Sequence, residues 1–111
     1  ELEALYEASR VLGGWRLSGC ELYVTLEPCP MCAGAAVNAR VDRVVFGAYD
    51  PKAGSVDGVV SLFSLPYNHK PEAVGGVMEE ECAQLLRDFF KQLRREWKSQ
   101  FLDFHFRRFL F

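Results

Sequence analysis

Apolar residues change rhythm several times along this chain, and each change marks an element. Leu2, Leu5, Ala8 and Leu12 recur every three to four residues, the spacing that lines up side chains on one face of a helix. Gly13-Gly14 ends the pattern with the residue favoured at helix C-termini, so a first helix of about three turns is expected. From Glu21 to Leu26 the β-branched and aromatic content, bounded by Ser18-Gly19 and Pro28, predicts a buried strand. Pro28 and Pro30 suit a helix entrance, and Ala33, Ala35, Ala36 and Val37 suit a helix body, so a second helix should run from about Met31 to Arg40. Val41 to Ala48 is nearly all apolar after its first turn and reads as a second strand covered on both faces.

Helix, strand, helix, strand in that order implies parallel pairing. Tyr49 to Pro71 holds Gly54, Gly58, Pro66 and Asn68 and shows no sustained period, which predicts a loop with one short helical turn around Val59 to Leu65. Long loops in compact domains are often functional. Val74 to Met78 reads as a short edge strand. Glu79-Glu80-Glu81 then places acids where a helix N-terminus favours them, and Cys82, Leu85, Leu86, Phe89, Phe90 and Leu93 form an apolar stripe on a helix reaching about Lys98. The chain opens on Glu1 already in helical register, with no initiator Met and no capping residue, which leads us to expect a domain cut partway through.

Composition narrows the class. With 111 residues, 50% hydrophobic and 25% charged, the chain suffices for one globular domain with a real core. We expect that domain over residues 1–100 and an aromatic-basic tail over residues 101–111. No long uncharged apolar span and no basic-then-apolar leader occur, so the expected compartment is the cytoplasm, away from any membrane. The formal net charge of −2 gives no overall attraction to nucleic acid, yet Arg87, Lys91, Arg94, Arg95, Lys98, Arg107 and Arg108 crowd the far end. A polyanion would meet that end first.

The candidate chemistry sits in Pro28-Cys29-Pro30-Met31-Cys32. Two thiolates at this spacing can grip one soft ion from a single helix start. A structural zinc site needs four protein ligands and often a second such pair, whereas Cys20 and Cys82 stand alone among apolar neighbours. A redox pair is the other option, but the Leu26-Glu27-Pro28 entry lacks the usual aromatic-Cys-Gly-Pro-Cys pattern.

Thr25-Leu26-Glu27-Pro28-Cys29-Pro30-Met31-Cys32-Ala33-Gly34-Ala35 resembles the zinc signature of the cytidine deaminase-like superfamily, in particular its tRNA adenosine deaminase branch. The likeness continues through Asn38-Ala39-Arg40-Val41, Arg43 to Ala48, Asp50-Pro51-Lys52-Ala53-Gly54 and Glu81 to Phe90. It implies an α/β, three-layer helix-sheet-helix cytidine deaminase-like fold, here lacking its N-terminal helix and first two strands. Members carry a His-Ala-Glu motif at the start of the helix before this strand. Glu1-Leu2-Glu3-Ala4-Leu5 matches from that Glu onward, which implies that Glu1 is the proton shuttle, Cys29 and Cys32 are zinc ligands, and the third ligand, a His, lies two residues before residue 1.

The implied reaction is zinc-dependent hydrolytic conversion of adenosine to inosine at the wobble position of a tRNA. Zinc lowers the pKa of its water to about 7, and a carboxylate that is not a ligand carries the proton to the ring and the departing ammonia; these roles are inherited from the family, not from the spacing. The resemblance also implies a tRNA anticodon stem-loop as partner and a homodimer, with the Ala-rich helix after Cys32 and the loop after Asp50 as interface material. RNA contacts are expected at Asp50 and Lys52, on the loop leaving the second strand, although a plain Asp-Pro turn is the other reading. Asn68 and His69 match the branch's Asn-His. Phe90, Lys91, Arg94 and Arg95 combine an aromatic with cations on one helix, suited to loop bases and phosphates; a solvated basic helix end gives the same pattern. Glu27 is expected to orient the turn or the cysteine backbone rather than do chemistry. Two rivals stay open: a guanine, cytosine or nucleoside deaminase of the same superfamily, and an inactive zinc- or RNA-binding fragment that binds zinc weakly.

Overall fold

The computed structural model describes the backbone of residues 1–103 and the side chains of residues 1–96. Its elements are α1 (Leu2–Leu12), β1 (Glu21–Leu26), α2 (Pro30–Asn38), β2 (Arg43–Ala48), a 3-10 turn (Leu62–Ser64), β3 (Glu72–Val74) and α3 (Glu79–Asp103). The strands form one parallel sheet in the order β1-β2-β3, as the helix-strand alternation predicts. Gly13 ends α1 at φ 75°, a left-handed conformation that spares glycine the Cβ penalty, and its N–H donates to the Ser9 carbonyl.

The core lies between the sheet and α2. Leu22 of β1 and Val44 and Phe46 of β2 point to one side and pack with Ala33, Ala36 and Val37 of α2 and Leu5 of α1. Ala33 and Ala36 are fully buried; side chains this small let the helix lie close on the sheet. On the opposite side, Gly47 meets Cys82 of α3: a Cβ there would sit 2.3 Å from the Cys82 sulfur. Alternation along β2 thus places α2 and α3 on opposite faces and explains why Val44 to Ala48 are all buried. This is the expected helix-sheet-helix layering.

The structure corrects several expectations. β1 is not a buried strand: only its α2-facing residues are covered, while Tyr23 is 69% exposed and Glu21 and Thr25 are also open. The reason is position, since β1 is an edge of the described sheet and α3 lies mainly over β2. The edge strand near Val74 runs over Glu72–Val74 instead, because Gly75 and Gly76 turn the chain away, Gly76 at φ 81°. α3 extends past Lys98 to Asp103. Its apolar stripe is only partly used: Cys82 and Leu86 are half-buried, whereas Leu85 and Phe89 are 63% and 56% exposed. Residues 104–111 of the proposed tail, and side chains from 97 onward, lie outside the described residues.

At the other end of the sheet the strands are tied by charge. Arg43 donates to Glu72 at 3.1 Å and approaches Glu21 at 3.6 Å, its partners across both pairings. These exposed, solvent-screened pairs add little to stability and agree with the register of both pairings.

Candidate functional site

The strands' C-terminal ends open on a cavity of about 460 Å³ lined by Glu1, Tyr23 to Glu27, Cys29 and Asp50. This is where ligands bind in open α/β sheets, and it gathers parts from separate elements. Glu1 is the residue before α1. Cys29 is the N-cap of α2, with Pro30 at the first helical position, and its carbonyl accepts the Ala33 N–H at 2.8 Å. Cys32 lies one turn into α2 and is buried. Asp50 follows β2.

The thiols are unequal. The N–H of Cys32 faces the Cys29 sulfur and, together with that of Met31, holds its pKa below the ordinary thiol value, although the geometry falls short of a full capping hydrogen bond. Cys32 is pushed up to about 12, first by burial and then by the Glu1 carboxylate beside it. A site that crowds a thiol, a second thiol and a carboxylate favours a cation. The soft donor pair suits a thiophilic ion such as zinc; among the described residues no three His, Cys, Asp or Glu side chains gather into a metal-holding cluster.

Glu27 is 2% exposed and has no cation partner among the described residues. Its Oε1 accepts the Asp50 N–H at 3.0 Å, and its Oε2 accepts the N–H groups of Val56, Asp57 and Gly58 at 3.1, 2.7 and 2.7 Å. Burial raises its pKa, but these four donors outweigh it and hold the carboxyl below its ordinary value. Glu27 therefore organises the distant 50–58 loop rather than its own turn. Its sequence signal was only a carboxylate before the cysteine pair; its partners are backbone groups and left none. Asp50 both lines the cavity and closes its own turn, accepting the N–H groups of Lys52 and Ala53 on Oδ1 at 3.0 and 3.2 Å.

Of the other sequence candidates, Lys52 is exposed on the turn beside Asp50. Asn68 and His69 are not brought to the cavity. The His69 Nε2 lies 2.6 Å from the Val41 carbonyl, at the opposite end of the strands beside Arg43 and Glu72. Phe90 and Arg94 are exposed on α3, one turn apart, and neither lines the cavity.

The chain is similar to several known proteins. A tRNA-specific adenosine deaminase of Bacillus subtilis (strain 168) is 52% identical over 100 residues, covering 89% of this chain and 62% of that protein. A tRNA(Ile)-lysidine synthase of Deinococcus deserti is 53% identical over 95 residues, but these make up only 18% of its length. A structure solved in a study of A-to-I editing by tRNA:A34 deaminases at the wobble position superposes with a TM-score of 0.72 at 45% identity, covering 75% of this chain and 61% of that one. The chain thus spans under two thirds of each of these relatives. The model of the MafB19-like deaminases matches residues 1–94, and the chain belongs to that family.

Proposed function

We propose that this chain carries the catalytic face of a zinc-dependent tRNA deaminase that converts adenosine to inosine at the first anticodon position. The observation that carries this reading is the convergence of Glu1, Cys29 and Asp50 on one cavity at the strands' C-terminal ends, with the buried Cys32 thiol beside Glu1 and Cys29. Cys29 and Cys32 would hold zinc from the start of α2. The ion supplies Lewis acidity that makes water nucleophilic near neutral pH. Glu1, at the head of α1 and beside the thiols, would take a proton from the attacking water and return it to the purine ring and the departing amine. Water and adenosine give inosine and ammonia, so no other reactant is needed.

RNA would be held by cations outside the cavity lining. Lys52 borders the cavity turn, and Phe90 with Arg94 offers a ring and a guanidinium on one side of α3, suited to unstacked bases and phosphates. The reading includes a homodimer and a cytoplasmic setting; no helix among the described residues is long and apolar enough to cross a membrane. The deciding measurement is ammonia release by the full zinc-loaded chain from an anticodon stem-loop carrying adenosine at its first position, against free guanine, cytosine and adenosine. Turnover of the stem-loop alone is expected. Turnover of a free base with an inert stem-loop would overturn the assignment.

A further inference from the structure

Among the described residues no side chain accepts more hydrogen bonds than Glu27, whose carboxylate receives four. Two ties link the residues just before Cys29 to the segment after β2: the four N–H donors on the Glu27 carboxylate, and the Ser55 N–H on the Pro28 carbonyl at 2.9 Å. The Glu27 N–H itself donates to Ala48 at the end of β2, also at 2.9 Å. The packing leaves no slack. A Cβ on Gly54 would fall 2.3 Å from the Glu27 carboxyl carbon, and one on Gly58 would fall 2.5 Å from the Asp50 carbonyl oxygen. Asp50 and Glu27 belong to the same cavity wall as Cys29.

We infer that Glu27 is a positioning residue whose buried carboxylate fixes the Asp50–Gly58 loop as a substrate-facing wall in register with Cys29. The inference rests on the deaminase reading for the word substrate. Its geometry does not. Oε2 already receives three N–H groups and Oε1 one, so the side chain is committed as an acceptor and is not a second proton shuttle beside Glu1. A shorter acid would fall a methylene short of the loop. An amide would turn an NH2 group toward an N–H that needs an acceptor. The consequence for catalysis is specific: loosening this anchor moves the wall that meets substrate, while the α2 turn that presents Cys29 and Cys32 keeps its own helical hydrogen bonds.

The test compares Glu27→Gln with the parent, each as the full zinc-loaded chain, by zinc content, amide hydrogen exchange and steady-state kinetics on the stem-loop. Gly58→Ala, which crowds the same loop without altering a charge, is the second variant in case the first does not fold. Zinc content is expected to stay at the parent value. Exchange at Asp50, Val56, Asp57 and Gly58 should quicken at least about tenfold, and KM should rise by about tenfold or more with kcat changed less than about threefold. Unchanged exchange and KM in a folded variant would overturn the proposal. So would zinc loss in step with activity, which would assign Glu27 to the cysteine turn alone. If the parent leaves the stem-loop untouched, the functional reading fails, and the exchange measurement still decides whether Glu27 anchors the loop.

Discussion

Burial first, and then the Glu1 carboxylate beside it, raise the pKa of the Cys32 thiol, and a divalent cation bound by the two sulfurs would offset both effects. Removing Cys32 or Glu1 should therefore have different effects. Cys32→Ser is expected to release zinc, read as metal content after dialysis, because serine lacks the soft sulfur donor. Glu1→Gln should keep the metal and lower the rate of ammonia release by about 10²–10⁴-fold, the usual worth of a positioned proton carrier. Loss of zinc from Glu1→Gln would make Glu1 a ligand instead. At this scale the sequence was most readable where local punctuation fixes a side chain's place, as in the cysteine pair at the start of α2. It was least readable at Glu27, whose partners are main-chain amides 23 to 31 residues away and so leave no mark on composition.

β1 and α3 show what periodicity does and does not report. The alternation of helix and strand, the parallel pairing and the helical turn in the long loop follow from rhythm and punctuation. What covers each face does not, because an apolar run records the tendency to be buried and not the presence of a neighbour. Tyr23 and Leu22 are adjacent in β1 yet lie at opposite extremes of exposure. Leu22→Ala should cost about 2–4 kcal/mol in urea unfolding by opening a cavity against α2, whereas Tyr23→Ser should stay within about 0.5 kcal/mol. Equal costs would mean that the outer side of β1 is covered. Under β2 the margin is steric: Ala36→Leu, at a fully buried position, should destabilise by about 1–3 kcal/mol through overpacking.

For the whole molecule, the balance of charge predicts how RNA would be held. A net charge of −2 leaves no broad field, so attraction must come from local cations, and those with described side chains on α3 are Arg87, Lys91, Arg94 and Arg95. Arg87 is engaged by Glu80 at 2.7 Å. Arg94→Gln is therefore expected to reduce the slope of log affinity against log salt by about 0.7 for the single-stranded loop, measured by titration at several ionic strengths. Arg87→Gln should change it less. An unchanged slope for Arg94→Gln would move the RNA to another face. The anchored loop after β2 carries a different consequence, for how this scaffold can diverge. Because Glu27 grips main-chain N–H groups and not side chains, most of the loop can change its residues without loosening its hold. The exceptions include Gly54 and Gly58, where a Cβ would force the loop to shift, and proline at Asp50, Val56, Asp57 and Gly58, whose N–H groups are engaged. Ser55 and Val56 are also buried, so change is freest at the exposed Pro51, Lys52, Ala53 and Asp57, where relatives could vary the loop while leaving the Cys29–Cys32 turn untouched.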